Sequence, residues 1–161
     1  MRDDRNPLPP VPTPAEIITI LLVSHYPEDH RFLRQTLTHS HWNIYRALDV
    51  QQARRFLSKT PVPVALCERT LPDGTWKDLF TFAESLPNPP LFVVVSESAD
   101  QYLWGEVLNL GGYDVLAKPF DRSELLQVVG MSWRNWKCRS DANQMGPDRQ
   151  LKTGIVSPMA S

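Results

Sequence analysis

The chain has 161 residues, with 17 Lys and Arg against 18 Asp and Glu, so its net charge is −1. This length suits one domain with a substantial core, and the balanced charge argues against a nucleic-acid partner. The two cysteines do not form a disulfide framework, and no apolar run approaches the length of a membrane span. These features predict a soluble cytoplasmic protein with neither a membrane nor a nucleic-acid partner.

The chain divides into a leader, one region of alternating patterns and a polar tail. Residues 1–14 contain five prolines, which predicts a disordered leader, with a proline-recognition ligand as the alternative. Residues 15–136 are predicted to form the domain. Residues 137–161 are polar and lack periodicity, which predicts a disordered tail.

Five apolar runs alternate with five amphipathic segments in the predicted domain. The runs predict strands at 17–23, 42–47, 64–68, 91–96 and 113–117. A first helix should begin at Pro27, and Asp49 should cap a second. Later helices are predicted from Trp76, after Ser98 or Asp100, and from Asp121 to about Trp136, with Gly111-Gly112 ending the fourth.

This alternation predicts an α/β fold of the flavodoxin-like, doubly wound type, with a parallel five-stranded sheet of order 2-1-3-4-5. Ligands bind such sheets at the carboxyl ends of the strands. That edge should bring together five side chains in one crevice, namely Ser24, His25, Glu68, Ser96 and Lys118.

Several residues at these strand ends match a known pattern. Leu71-Pro72 follow Glu68 at a characteristic spacing, Ser96 ends the fourth strand, and Lys118-Pro119-Phe120 end the fifth. With these features, residues 16–136 resemble the receiver domain of two-component response regulators.

In that family an aspartate on strand three accepts a phosphoryl group and two acidic residues after strand one hold Mg²⁺. A Ser or Thr and a Lys contact the phosphoryl oxygens. The resemblance assigns the acceptor position to Glu68, the metal positions to Ser24 and His25, and the hydroxyl and lysine to Ser96 and Lys118.

The acceptor and metal positions depart from the family pattern. Ser24 and His25 supply no carboxylate, whereas Mg²⁺ is usually held by hard, charged oxygen ligands. Glu68 is longer than Asp by one C–C bond, about 1.5 Å. These changes predict no Mg²⁺, no other cofactor and no ordinary aspartyl phosphorylation. Glu28 and Asp29 fall inside the first helix, where they are expected as surface charges matched to the helix dipole.

The remaining chemistry is electrostatic. We expect an ion pair between Glu68 and Lys118, with a hydrogen bond from Ser96, which would partly imitate the phosphorylated state. This predicts a stand-alone, phosphorylation-independent pseudo-receiver in phosphorelay signalling, a protein-interaction module and not an enzyme. The alternative is a structural domain in which the pair is a relic without a switch.

Two further functions remain open at this stage. One is phosphotransfer with Glu68 or another residue as the acceptor. The other is a flavin- or nucleotide-binding enzyme on the same fold, although residues 24–27 do not supply the phosphate loop that such sites use.

Receivers act through a face built by helix four, strand five and helix five. Val115 stands where many members carry an aromatic residue three positions before the lysine, so the family's aromatic switch is absent. Tyr113 lies two residues away and should share the side of Val115. The predicted interaction face comprises Trp104, Leu108, Tyr113, Val115 and Trp133, and its partner would be a histidine kinase, another signalling protein or a second copy of the chain.

Overall fold

A five-stranded parallel sheet forms the centre of the molecule in the computed structural model, which describes residues 18–37 and 42–144. Its strands are β1 (Ile18–Val23), β2 (Trp42–Ala47), β3 (Val64–Glu68), β4 (Leu91–Ser96) and β5 (Asp114–Ala117). They lie in the order β2-β1-β3-β4-β5, with every pair parallel. The predicted fold class and strand order are confirmed.

Within the described residues, five helices cover the two faces of this sheet. They are α1 (Pro27–Thr36), α2 (Val50–Lys59), α3 (Trp76–Glu84), α4 (Gln101–Leu110) and α5 (Arg122–Gln144). The apolar side chains of α2, α3 and α4 form one core cluster with the sheet, and those of α1 and α5 form a second on its other face. The inner strands β1, β3 and β4 are buried on both faces, which explains their apolar runs, whereas the edge strand β2 is partly exposed.

Local signals set most of the helix ends. The carboxylates of Asp49, Asp100 and Asp121 each accept a backbone N–H bond of 2.8 to 3.0 Å from the first turn that follows. Gly111 ends α4 with φ at 105°, a left-handed conformation that glycine adopts without a Cβ clash. These caps had been predicted.

Helix α5 continues to Gln144, eight residues beyond the predicted end at Trp136. The polar composition after Lys137 had suggested disorder, but residues 137–144 contain no helix breaker, since Gly146-Pro147 comes later. The Arg139 guanidinium also donates to the Pro89 carbonyl, which ties this last part of the helix to the loop before β4. The leader, and the tail from residue 145, lie outside the described residues.

The loop between β3 and α3 contains a two-stranded antiparallel ribbon, Thr70–Leu71 with Gly74–Thr75, that was predicted only as a turn. At its tip, Asp73 accepts hydrogen bonds from the backbone N–H groups of Val50 and Gln51, at 2.8 and 3.1 Å. The loop therefore contacts the start of α2 at the same sheet edge as the candidate site. No helix in the described part of the chain is long and apolar enough to cross a bilayer.

Candidate functional site

The sheet places the predicted residues at one edge. Strand register pairs Val23 with Cys67 and Ser96 with Ala117, so the residues that follow or end these strands lie side by side. Ser24 follows β1, Glu68 ends β3 and Lys118 follows β5, where its peptide bond to Pro119 is cis. Parallel strands bring their carboxyl ends together, which is why positions so distant in the chain form one site.

The centre of the site is the Lys118 ammonium. Its Nζ lies 2.7 Å from Glu68 Oε1 and 3.0 Å from Asp29 Oδ2. The lysine side chain is only 7% exposed, and its Nζ also lies 4.3 Å from the centre of the Tyr26 ring, within cation–π range. The predicted ion pair between Glu68 and Lys118 is therefore present, but as part of a three-residue cluster.

Asp29 corrects a prediction made from the sequence. It was expected as an exposed charge in the first turn of α1, and it is instead 4% exposed and points into the site. The Ser24 hydroxyl donates to Asp29 Oδ2 at 2.6 Å, and the same oxygen accepts from Lys118 Nζ. Glu28, the neighbouring acid, is exposed as expected. Asp29 thus places a second carboxylate beside that of Glu68, whereas Ser24 and His25 carry none.

Ser96 and His25 contribute less than predicted. Ser96 Oγ accepts a hydrogen bond from the Ser98 backbone N–H at 3.0 Å, and within the described residues no hydrogen bond joins it to Glu68. The Ser96 hydroxyl is engaged by its own loop. Of the two contacts expected to imitate the phosphorylated state, only the ion pair between Glu68 and Lys118 is present. The His25 side chain is exposed at the rim, although it lies near enough to Glu68 to favour the ionised carboxylate.

Burial and charge act on the cluster in opposite directions. Burial raises the pKa of the Glu68 carboxyl above its ordinary 4.5, and the Lys118 ammonium only partly offsets this. Burial alone would lower the pKa of Lys118, but the Glu68 and Asp29 carboxylates outweigh it, so that pKa is raised above 10.5. The lysine therefore stays charged, and it limits the cost of burying two carboxylates close together.

Comparisons with known proteins agree with this architecture. No protein-family model matches the chain. Over 116 residues it is 28% identical to the response regulator protein PilR of Pseudomonas aeruginosa, a match that covers 71% of this chain and 26% of that protein. The chain thus spans about a quarter of the length of this relative.

Comparison with solved structures identifies the fold. The signal receiver domain of an HD domain-containing protein from Pseudomonas fluorescens superposes with a TM-score of 0.72 at 22% identity, covering 84% of this chain and 98% of that one. A CheY-like receiver domain protein from Methanospirillum hungatei gives 0.69 at 18% identity, covering 76% and 98%. The fold is that of a response regulator receiver domain.

The structure differs from the predicted interaction face at two positions. Val115 is 4% exposed and packs with α4 in the core, so it cannot form part of a contact surface. Tyr113 precedes β5 and packs against the opposite core cluster, with its hydroxyl accepting from Asn135 Nδ2 at 2.8 Å. The strand begins at Asp114, so the expected alternation does not extend back to Tyr113.

Two predicted side chains on α4 are exposed, Trp104 at 42% and Leu108 at 46%. Glu106 pairs with Lys77 of α3, and helical geometry puts positions 104 and 108 on roughly the opposite flank of α4. That flank is therefore the one away from α3. Trp133 is half-buried against the core cluster of α1 and α5.

Sequence reasoning missed two residues of the site, Asp29 and Tyr26. The available signal for Asp29 was its position two residues after Pro27, which fixes the first turn of α1 beside the end of β1. Within the described ranges, no group of three or more His, Cys, Asp or Glu side chains could hold a metal ion.

Proposed function

We propose that this chain is a receiver module of a two-component signalling system that works without phosphorylation of Glu68, as a protein-interaction module and not an enzyme. The observation that carries this proposal is the Lys118 ammonium between two carboxylates, at 2.7 and 3.0 Å. In this arrangement the lysine is already neutralised and has no need of an incoming phosphoryl oxygen. A cytoplasmic location is part of the same proposal.

The family's resident ion is Mg²⁺, and the residues present do not fit it. An octahedral cation needs several unengaged oxygen ligands. Here the Ser24 hydroxyl is used as a donor to Asp29, and Asp29 and Glu68 both pair with Lys118. A divalent ion would have to displace the ammonium from between its partners, so these residues do not form a magnesium site.

The length of Glu68 supports the same conclusion. Its extra methylene carries Oε1 to the lysine, where it acts as an ion-pair partner. Phosphoryl transfer needs an aligned nucleophile and neutralisation of the transferred oxygens. Glu68 is paired, and the cation that could neutralise those oxygens is engaged by carboxylates.

A phosphodonor assay tests this proposal. The protein is incubated with acetyl phosphate and Mg²⁺, with an active receiver domain treated in parallel, and intact masses are recorded. The wild type should gain no phosphoryl group while the active receiver does. A phosphoryl adduct on Glu68 of the wild type, lost in Glu68→Gln, would instead establish the glutamate as an acceptor.

We propose that output passes through the α4 flank away from α3, with a second copy of this chain as the partner. Two exposed apolar side chains one helical turn apart, Trp104 and Leu108, support this surface. Sedimentation should show association that grows with concentration and is reduced in Trp104→Ala/Leu108→Ala. Tyr102→Ala, which removes a side chain that is 80% exposed, serves as the control. Concentration-independent monomers in all three proteins would leave a different protein, such as a kinase, as the partner.

A further inference from the structure

A cleft lined by residues outside the Lys118 cluster lies between α1 and β2. It has a volume of about 480 Å³ and is lined by His30, Arg34, Leu37, Trp42, Ile44 and Arg46. This volume falls in the range of small-molecule sites, which combine apolar walls with a few converging polar groups. The cleft has both, since three apolar side chains stand beside two guanidinium groups.

Charge around this cleft is strongly one-sided. The charged residues that line it are Arg34 and Arg46, and no acid is among its lining residues. Asp29, the residue before His30 in α1, is paired with Lys118. Arg46 is exposed and has no ion pair within the described part of the chain. The cleft therefore favours an anion, and arginine forks suit phosphate in particular.

His30 adds a buried hydrogen-bond acceptor to this cleft. Its side chain is 5% exposed, and its Nε2 lies 2.7 Å from the Ser24 carbonyl oxygen, so Nε2 carries the proton and donates it. Nδ1 is then an acceptor, and it is buried with no hydrogen-bond partner among the described residues. Burial lowers the pKa of this imidazole below 6.5, with Arg46 and Arg34 acting in the same direction and the Ser24 hydrogen bond and Asp29 opposing it, so the ring is neutral near pH 7. A buried acceptor without a donor is costly.

We propose that this cleft binds a phosphate monoester of a small organic molecule. Arg46 holds the phosphate, a hydroxyl of the ligand or its protonated phosphate oxygen donates to His30 Nδ1, and the organic part packs on Trp42 and Ile44. The site is distinct from the Lys118 cluster, because none of its lining residues is Asp29, Glu68 or Lys118.

The cleft is connected to the Lys118 cluster through one residue. His30 bonds the Ser24 carbonyl oxygen, while the Ser24 hydroxyl bonds Asp29, which pairs with Lys118. A ligand that orders His30 would therefore act on the cluster through Ser24. This consequence rests on the proposed function, whereas binding itself does not.

Calorimetric titration of the full chain in phosphate-free buffer tests the binding. The probes are inorganic phosphate, ribose 5-phosphate, adenosine monophosphate and adenosine. At least one of the two esters should bind saturably and ten times or more tighter than inorganic phosphate, whereas adenosine should not bind. Equal affinity for phosphate and both esters, or no saturable binding, would overturn the proposal, irrespective of whether Glu68 is ever phosphorylated.

Matched variants locate the site. Arg46→Gln should weaken ester binding at least tenfold, while Arg31→Gln removes the same charge from an exposed α1 position outside the cleft and should change it by less than twofold. Circular dichroism checks that both variants fold. The ¹⁵N resonance of His30 Nδ1 should shift on binding. Equal weakening by both variants would mean diffuse electrostatic attraction, and an unchanged His30 resonance would remove the histidine from the site.

Discussion

Lys118 is the residue on which the candidate site depends. It neutralises two carboxylates that would otherwise be buried close together without a counter-charge. Removing one partner from a buried ion pair is far more costly than replacing the whole group by apolar side chains, because the remaining charge stays buried.

Replacing Lys118 should therefore destabilise the folded protein. Lys118→Met should lower the free energy of unfolding by about 3 kcal/mol, as expected for a broken buried pair. Lys77→Met is the control, since Lys77 pairs with Glu106 at the surface and its loss should cost about 1 kcal/mol or less. Urea unfolding measures both, and equal small effects would show that the Lys118 cluster is solvated.

The raised pKa of Glu68 predicts a pH dependence with a definite sign. The native carboxyl binds its proton at a higher pH than the unfolded one, whose pKa is near 4.5. As pH falls from the native pKa to 4.5 the native state holds more protons, so the wild type gains stability. Glu68→Gln cannot titrate at this position, so the wild type should gain stability relative to it in that window. Unfolding curves at several pH values check this, and a loss relative to the variant would reverse the assigned shift.

At the scale of elements, α4 offers a matched test of backbone conformation. Gly105 lies inside the helix with open space around it, whereas Gly111 ends the helix with φ at 105°. Gly105→Ala should raise the free energy of unfolding by about 1 kcal/mol through helix propensity. Gly111→Ala should lower it by about 1 to 2 kcal/mol, because alanine is strained in the left-handed region. Thermal unfolding compares them, and a gain in both would mean that α4 does not end at Gly111.

Element boundaries were predictable where they depend on neighbouring residues. The caps at Asp49, Asp100 and Asp121 and the stop at Gly111 are local signals, and the structure uses each of them. The end of α5 was not predictable in this way, because Arg139 reaches Pro89, fifty residues earlier in the chain. Contacts of this kind are set by packing and leave no periodic pattern.

The same distinction between local signals and long-range contacts applies to the whole molecule. Apolar runs alternating with helices predicted a parallel sheet, and right-handed crossovers in a doubly wound layout predicted its order. That order places Ser24, Glu68 and Lys118 at one edge. The role of Asp29 was not predictable, because it depends on how α1 is rotated over the sheet and on a lysine 89 positions away. A change of register or rotation would have left Asp29 at the surface.

At this scale the cluster joins three parts of the fold. Asp29 belongs to α1, Glu68 ends β3, and Lys118 follows β5. In phosphorylated receivers a bound metal and a phosphoryl group would meet at this edge, and here a side-chain ammonium lies between the carboxylates. We expect the module to keep one conformation at this edge whether or not a phosphodonor is present.

The most direct test of this account is a titration with Mg²⁺ and then beryllofluoride, followed by the fluorescence of the five tryptophans. Lys118→Met, which frees Asp29 and Glu68, is titrated in parallel as the comparison. The account predicts no saturable change in the wild type at millimolar Mg²⁺, with or without beryllofluoride. A saturable wild-type response that Glu68→Gln abolishes would contradict it, because the ion would then have displaced the lysine from its two carboxylates.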